Sequence, residues 1–286
     1  MTPWTDLGGG VLVRQSRVYW MNSALLLDAE HAVLVDPGVL PSELHDLAAA
    51  VRDALPGAVT LIFTHSHWDH VLGRPWWPQA RSAGHARLAA ELHRDAAAIL
   101  AEAGGAARER GEDWSAGFEP FAPDLAVRGE REFTAGRWRT VLREAPGHCD
   151  SQVTVHLVER RLLFAADLLS DLEIPWLDRG PAVFRRTLAR LEALVADGAV
   201  ETLVPGHGTI ARGAEAILGR VARDMGYLDA LESGVREARG AGLTLEQAQS
   251  RLAALDYTAK AAAYPMDEVH RGNVRIAWEA EERERA

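Results

Sequence analysis

Several features that mark particular classes of protein are missing from this sequence. Cys149 is the only cysteine among 286 residues, so a disulfide framework is excluded, which fits a reducing compartment. Residues 1–20 have neither a basic start nor a continuous apolar stretch, and no apolar run approaches the length that spans a bilayer. These absences predict a soluble cytoplasmic protein with no signal peptide and no membrane partner.

Positive charge is also scarce. The chain has 31 Lys and Arg against 41 Asp and Glu, a formal net charge of −10, and no basic cluster stands out. Neutralisation of phosphates dominates affinity for nucleic acids, so we expect no nucleic-acid partner. The length and the 48% hydrophobic content are enough for one large domain, or for one domain with an appendage.

Histidine, in contrast, is concentrated in one stretch, Thr64-His65-Ser66-His67-Trp68-Asp69-His70. It follows the apolar run Val59–Phe63, which predicts a buried strand. Side chains alternate along a strand, so His65 and His67 should point to the same side. A helix that begins near Asp69 would bring Asp69 and His70 back towards them. The stretch therefore predicts ligands for two adjacent metal ions, and imidazoles with carboxylates suit zinc, iron or manganese.

Three further potential ligands also follow strand-like runs. His148 comes after Trp138–Leu142, Asp167 after Arg161–Phe164, and His207 after Thr202–Val204. In α/β folds, ligands gather outside the ends of strands. We therefore expect these three side chains to join the same centre.

The remaining pattern alternates strands with amphipathic helices, which indicates an α/β fold. The strands are predicted at Gly10–Val13, Ala24–Leu27, Ala32–Val35 and Val153–Val158. The helices are predicted at Ser42–Leu55, Gly84–Ala103, Pro181–Ala196, around Ile217–Val235, after a capping box at Thr244–Gln247, and from Pro265 to about Glu281. Gly104-Gly105 should break the second helix. No strand is expected after Gly213.

Some residues near the motifs have two interpretations. Asp36, in Asp36-Pro37-Gly38, either orients a metal-binding histidine or only closes a turn. Four tryptophans either line an apolar pocket or pack in the core: Trp68, Trp76, Trp77 and Trp176. Cys149 is expected to pack, although it neighbours His148.

The full set of potential ligands resembles the metallo-β-lactamase superfamily, in which H-x-H-x-D-H is followed by separate His, Asp and His ligands. The set is His65, His67, Asp69, His70, His148, Asp167 and His207. The resemblance covers about residues 10–210. It implies a four-layer αββα sandwich over residues 1–212, with a helical insertion at about 74–123. Residues 213–286 would form a C-terminal helical extension packed on that core.

The resemblance also implies the metal arrangement. His65, His67 and His148 would hold the first ion, Asp69, His70 and His207 the second, and Asp167 would bridge them. This two-metal layout is similar to that of glyoxalase II. Zinc is the first expectation for both ions, and iron and manganese are the alternatives.

The implied activity is that of a metal-dependent hydrolase acting on a small molecule. A hydroxide that bridges the two metals would attack a thioester, ester or lactone carbonyl, and Asp69 would orient it or take up its proton. The alternatives are a phosphodiesterase or nuclease of the same superfamily, a mononuclear iron sulfur dioxygenase, and a non-catalytic metal-binding scaffold. The C-terminal helices would pack on the core, wall the substrate cleft or form a homodimer contact.

Overall fold

The structure is a computed structural model that describes residues 3–54, 56–255 and 266–285. The chain divides into two compact units, and each contains two stretches of sequence. The first unit comprises Met1–Glu144 and Ser151–Ala166, and the second comprises Ala145–Asp150 and Asp167–Ala286. The boundary expected at 212/213 stays a prediction. The predicted helix residues Leu55 and Pro265 lie outside the described residues.

A seven-stranded mixed sheet forms the centre of the first unit. Its first four strands pair antiparallel and its last three are added in parallel. The strands lie in the sheet in chain order: β1 (Trp4–Asp6), β2 (Val11–Gln15), β3 (Asn22–Leu27), β4 (His31–Val35), β5 (Ala58–Ile62), β6 (Arg81–His85) and β7 (Leu125–Val127). Val35 of β4 lies opposite Ile62 of β5. The residues that follow these two strands therefore emerge at the same end of the sheet.

Two long helices pack against this sheet, α1 (Pro41–Ala54) and α3 (Leu88–Glu109). Between them lie the short α2 (Trp68–Val71) and a 3-10 turn. Leu44 and Leu47 of α1 share one hydrophobic cluster with Leu88 and Leu92 of α3 and with sheet residues such as Leu34. Burial of each such leucine contributes about 1.5–3 kcal/mol. This cluster fixes the end of β5, from which the histidine-rich stretch begins.

The first unit also contains four antiparallel strands in the order β11-β10-β9-β8. They are β8 (Glu130–Ala135), β9 (Trp138–Glu144), β10 (Val153–Leu157) and β11 (Leu162–Phe164). The backbone N–H of Val153, at the start of β10, donates to the carbonyl of Thr64 at 2.8 Å. This bond ties β10 to the histidine-rich stretch.

The second unit is mainly helical. A two-strand hairpin, β12 (Thr202–Val204) with β13 (Ala211–Arg212), precedes the long helix α5. The helices are α4 (Pro181–Ala196), α5 (Ala214–Gly240), α6 (Leu245–Leu252) and α7 (Met266–Arg285), and α5 packs against the other three. The capping box at Thr244 and Gln247 forms as predicted. None of the helices within the described ranges is long and apolar enough to cross a membrane.

The sequence predictions fail mainly between residues 74 and 135. The segment predicted as a helix from Gly84 begins instead with β6, a strand of the central sheet. The following helix also continues through Gly104-Gly105 to Glu109. A glycine in a helix costs only about 1 kcal/mol relative to alanine, and burial of Ala103 and Ala107 on the same helix offsets that cost. The strands β7 and β8 were not predicted, because they are short or exposed.

Candidate metal centre

The histidine-rich stretch forms a tight turn at the end of β5. α2 begins directly after His67, whose backbone is extended. The ring centroids of His65 and His67 are 4.7 Å apart, and those of His65 and His70 are 4.1 Å apart. Ligand atoms of Asp69 and His70 lie within 4.8 Å of one another, as do those of His65 and His67. The predicted return of the chain after the strand is therefore confirmed.

Asp36 lies behind this turn and joins three of its groups. Its Oδ1 accepts the backbone N–H of Thr64 at 2.8 Å, and its Oδ2 accepts the Thr64 hydroxyl at 2.6 Å. The same Oδ2 lies 2.8 Å from Nδ1 of His70. Asp36 can reach both because β4 and β5 are parallel neighbours that end level with each other. Of the two interpretations of Asp36, the structure therefore favours the one in which it orients a histidine.

This hydrogen-bond network fixes the tautomers of two histidines. The Thr64 hydroxyl donates its one proton to Asp36, so it can only accept from Nδ1 of His65, 3.0 Å away. Nδ1 of His70 likewise donates to the Asp36 carboxylate. In its neutral form each ring then carries its lone pair on Nε2, the arrangement in which an imidazole binds a metal ion. Sequence reasoning had not assigned any role to Thr64.

Close packing holds the turn from two other sides. The Ser66 hydroxyl donates to Glu91 of α3 at 2.6 Å, and both side chains are buried. A Cβ on Gly73 would lie only 2.4 Å from the ring and the carbonyl of Pro37, so this position requires glycine. The segment after α2 therefore packs directly on the turn that carries Asp36.

The second unit brings together His148, Asp167 and His207. Oδ2 of Asp167 lies 3.2 Å from Nε2 of His148 and 3.5 Å from Nε2 of His207. All three side chains are less than a tenth exposed. A single carboxylate oxygen thus faces two imidazoles. Oε1 of Glu173 lies 3.9 Å from the other ring nitrogen of His207.

Two arginines of α5 hold the loop that follows Asp167. Arg220 donates to the carbonyl of Leu169 at 3.0 Å, and Arg223 donates to the carbonyl of Ser170. The backbone φ angles of Ala166 and Leu169 are +51° and +59°, in the left-handed region that non-glycine residues seldom adopt. Such conformations persist where the surrounding contacts impose them. These contacts lie far from Asp167 in sequence, and no motif pointed to them.

Asp171 ties this loop to the turn that carries His207. Its two carboxylate oxygens accept the backbone N–H and the hydroxyl of Thr209, both at 2.7 Å. Burial acts to raise the pKa of Asp171, but these bonds and the nearby charge of Arg220 outweigh it and lower the pKa. Asp171 thus serves as an acceptor that positions the residues after His207.

The four tryptophans near the motifs differ in their surroundings. Trp77 is 9% exposed and belongs to the core of the first unit, and Trp68 and Trp76 pack against the same core. Trp176 is 45% exposed, and its ring meets that of His148 edge to face at 5.9 Å. Cys149 is buried, as expected of a packing residue. Trp176 is therefore the tryptophan that presents an apolar surface beside a potential ligand.

Several other histidines form hydrogen bonds elsewhere in the chain. His31 bonds with Thr60, His85 with Glu144, and His270 with Tyr227 and the carbonyl of Leu252.

Each unit contains imidazole nitrogens and carboxylate oxygens at the predicted positions. These atoms are donors that bind zinc, iron or manganese.

Comparison with known protein families shows to which family this chain belongs. Residues 19–207 match the family described as the metallo-beta-lactamase superfamily. The chain belongs to this superfamily. The match covers more than half of the 286 residues and contains all seven predicted ligands.

Acyl-coenzyme A thioesterases of two vertebrates are similar to this chain. The chain is 27% identical to the human acyl-coenzyme A thioesterase MBLAC2 over 224 residues, 71% of this chain and 79% of that protein. It is also 27% identical to the chicken protein of the same name over 220 residues, 70% of this chain and 78% of the relative.

Among solved structures, a metallo-beta-lactamase family protein from Thermus thermophilus matches with a TM-score of 0.69 at 19% identity, over 98% of this chain and 96% of that one. The sec-alkylsulfatase Pisa1 from Pseudomonas sp. matches with a TM-score of 0.73 at 14% identity. That match covers 98% of this chain and only 50% of the longer sulfatase.

These similarities confirm the predicted fold class, the αββα sandwich with C-terminal helices. At such low identity the solved structures show the fold alone. The family membership and the His and Asp sets together support a metal-dependent hydrolase. The metal ions, their number and the substrate belong to the proposal that follows.

Proposed function

We propose that this protein hydrolyses carboxylic thioesters at a binuclear metal centre, with zinc as the expected metal. The observation that carries the substrate class is the 27% identity to acyl-coenzyme A thioesterases, which extends over 71% of the chain. Esters and lactones are the neighbouring substrate classes, because their carbonyl groups undergo the same attack.

The proposed centre uses the seven side chains predicted from the sequence. His65, His67 and His148 would bind the first ion, and Asp69, His70 and His207 the second, with Asp167 between them. Membership of the superfamily and the chemistry of these seven side chains support this assignment. The nearly equal distances from Oδ2 of Asp167 to His148 and His207 support a bridging role for that carboxylate.

Divalent ions held by these residues would lower the pKa of a bound water molecule and would polarise the substrate carbonyl. The side chains of this protein would supply the rest. Asp69, at the first turn of α2 and 5% exposed, would orient the attacking oxygen and accept its proton. Asp36 and Thr64 would keep the Nε2 lone pairs of His70 and His65 directed at the ions.

The test is a substrate panel with the zinc-loaded protein and with the protein stripped by a chelator. The panel contains a thioester, a lactone, an oxoester, a β-lactam and bis(p-nitrophenyl) phosphate. We expect metal-dependent turnover to be fastest on the thioester. Faster hydrolysis of the phosphodiester would reverse the assignment, and metal binding without turnover of any carbonyl substrate would reject it.

A matched pair of variants separates the role of Asp69 from general damage. Asp69→Asn should lower kcat by about 100-fold or more, in the range of general acid–base catalysis. Asp95→Asn, on the exposed face of α3 and paired with Arg94, should leave kcat unchanged. Equal activity of the two variants would remove Asp69 from the mechanism.

A further inference from the structure

Trp176 occupies an unusual position for a large apolar side chain. It is 45% exposed, and its ring lies perpendicular to that of the proposed ligand His148, with the centroids 5.9 Å apart. An exposed indole leaves apolar surface in water, which is unfavourable unless something covers it. Here the exposed surface adjoins the position where the substrate carbonyl would react.

The backbone on both sides of Trp176 is held by one buried side chain of α7. Asn273, fully buried, donates from Nδ2 to the carbonyl of Pro175 at 2.6 Å and accepts the N–H of Leu177 at 2.9 Å. Its Nδ2 also lies 2.9 Å from the hydroxyl of Tyr227, which in turn bonds with His270. The backbone that carries the exposed ring is therefore held by a buried hydrogen-bond network.

The charges around this loop indicate which part of a thioester it faces. Asp178, two residues after the tryptophan, is acidic and exposed, whereas the acidic Glu173 is buried and lies near His207. The neighbouring cation, Arg179, is paired with the carboxylate of Asp150 at 2.5 Å. This loop therefore offers an exposed apolar ring beside an exposed carboxylate. That surface suits the apolar half of the substrate, the acyl chain, better than a phosphorylated carrier.

We propose that Trp176 recognises the acyl chain of the substrate and that Asn273 positions it, an inference that rests on the proposed thioesterase function. The chain would pack along the exposed indole while its carbonyl lies near His148. Each methylene group that Trp176 covers raises kcat/KM by up to about fourfold. The structure thus predicts a preference for medium-length acyl chains over acetyl.

The experiment measures kcat/KM for acetyl, butyryl and octanoyl thioesters of N-acetylcysteamine, a carrier without phosphate. Trp176→Ala should lower the value for the octanoyl thioester by about 10- to 100-fold and that for acetyl by less than about threefold. The control is Trp278→Ala, which removes an indole of α7 that the guanidinium group of Arg239 covers. It should preserve the chain-length preference. An unchanged octanoyl-to-acetyl ratio in Trp176→Ala would overturn the inference.

Asn273→Ala provides a second variant with a different signature. If Asn273 positions Trp176, the variant should raise KM for the octanoyl thioester by about tenfold and leave kcat for acetyl within about twofold. If Asn273 has only a structural role, the variant should show a lower kcat for all three thioesters alike, or should unfold without a change in the octanoyl-to-acetyl ratio. Either result would remove Asn273 from the proposal.

Binding separates failure of this inference from failure of the proposed function. The S-octyl thioether of N-acetylcysteamine cannot be hydrolysed, and calorimetry measures its affinity directly. If no thioester is turned over but Trp176→Ala still weakens binding about tenfold, the acyl site stands without the thioesterase. If thioesters are turned over but the wild type and Trp176→Ala bind the thioether with equal affinity, only the acyl site is rejected. If the protein neither turns over a thioester nor binds the thioether, the acyl site and the thioesterase function are both rejected.

Discussion

Nδ1 of His70 lies 2.8 Å from Oδ2 of Asp36, although the two residues are 34 positions apart in the chain. The parallel pairing of β4 with β5 brings the two together, because each residue follows the end of its strand. One carboxylate thereby orients His70 and, through the Thr64 hydroxyl, His65. The first three predictions concern this contact, Thr64 and a buried carboxylate of α5.

Asp36→Asn should weaken zinc affinity by about 10- to 100-fold, the usual effect of losing a hydrogen-bond partner behind a metal ligand. The amide can present an NH2 group where Oδ2 now accepts two bonds, so His70 loses its orientation. Competition with a chromophoric chelator measures the affinity.

Asp124→Asn is the control for this variant. Asp124 also accepts a backbone N–H and a hydroxyl, both from Ser82, but it is more exposed and lies outside the proposed centre. It should lose a similar number of hydrogen bonds and keep its zinc affinity. Equal zinc affinities in the two variants would contradict the role of Asp36.

Thr64→Val tests the tautomer of His65 with almost no change of shape. The valine cannot accept from Nδ1, so the ring loses the partner that keeps the lone pair on Nε2. We expect a several-fold loss of zinc affinity, while Thr64→Ser, which keeps the hydroxyl, should stay close to the wild type. A serine variant as weak as the valine variant would show that packing, and not the hydroxyl, matters.

Asp224 should make stability depend on pH. Burial raises its pKa to about 6, against partial opposition from Arg223 and Arg220 and with support from Glu173. Because the folded pKa lies above the unfolded value of 3.8, the protein loses stability as pH rises from about 4 through about 6. The loss is of the order of 3 kcal/mol, from about two pKa units at 1.36 kcal/mol each.

Asp224→Asn should remove this dependence. The free energy of unfolding is measured with urea for both proteins at each pH. The value for the variant minus the value for the wild type should rise between pH 4 and pH 7. The comparison cancels the contribution of the histidines, which both proteins share. A constant difference across this range would mean that Asp224 has an ordinary pKa.

Two glycine substitutions test the packing of the segment between α2 and the end of α3. Gly105→Ala should stabilise the protein by about 0.5–1 kcal/mol, because the position is helical and has open space around it. Gly73→Ala should destabilise it by about 1–3 kcal/mol, because the new Cβ would overlap Pro37. Urea denaturation measures both. Destabilisation by Gly105→Ala would imply that α3 ends before that residue.

The sequence was most informative where chemistry and local pattern coincide. The helix α4 and the strand β12 were predicted with their observed bounds, because the apolar periodicity and the flanking turns are unambiguous. The histidine-rich stretch was interpretable because a buried strand leads directly into it. The resemblance to a known superfamily then supplied the fold class.

What could not be predicted depends on contacts between distant residues. The bond between Asn273 and the backbone beside Trp176 spans almost a hundred positions, and neither residue has a local signature. The hydrogen bonds from the α5 arginines to the loop after Asp167 also join residues that are distant in the sequence and have no local signature. β8 was missed because Glu130-Arg131-Glu132 is exposed and lacks the apolar alternation of a typical strand.

The most direct test of the central claim is metal stoichiometry in three proteins: the wild type, His148→Ala and His207→Ala. Elemental analysis after zinc loading and dialysis should give two ions per chain in the wild type. Each variant should retain about one, with thioester hydrolysis lost in both. Two tightly bound ions in either variant, or fewer than one in the wild type, would contradict the proposed binuclear centre.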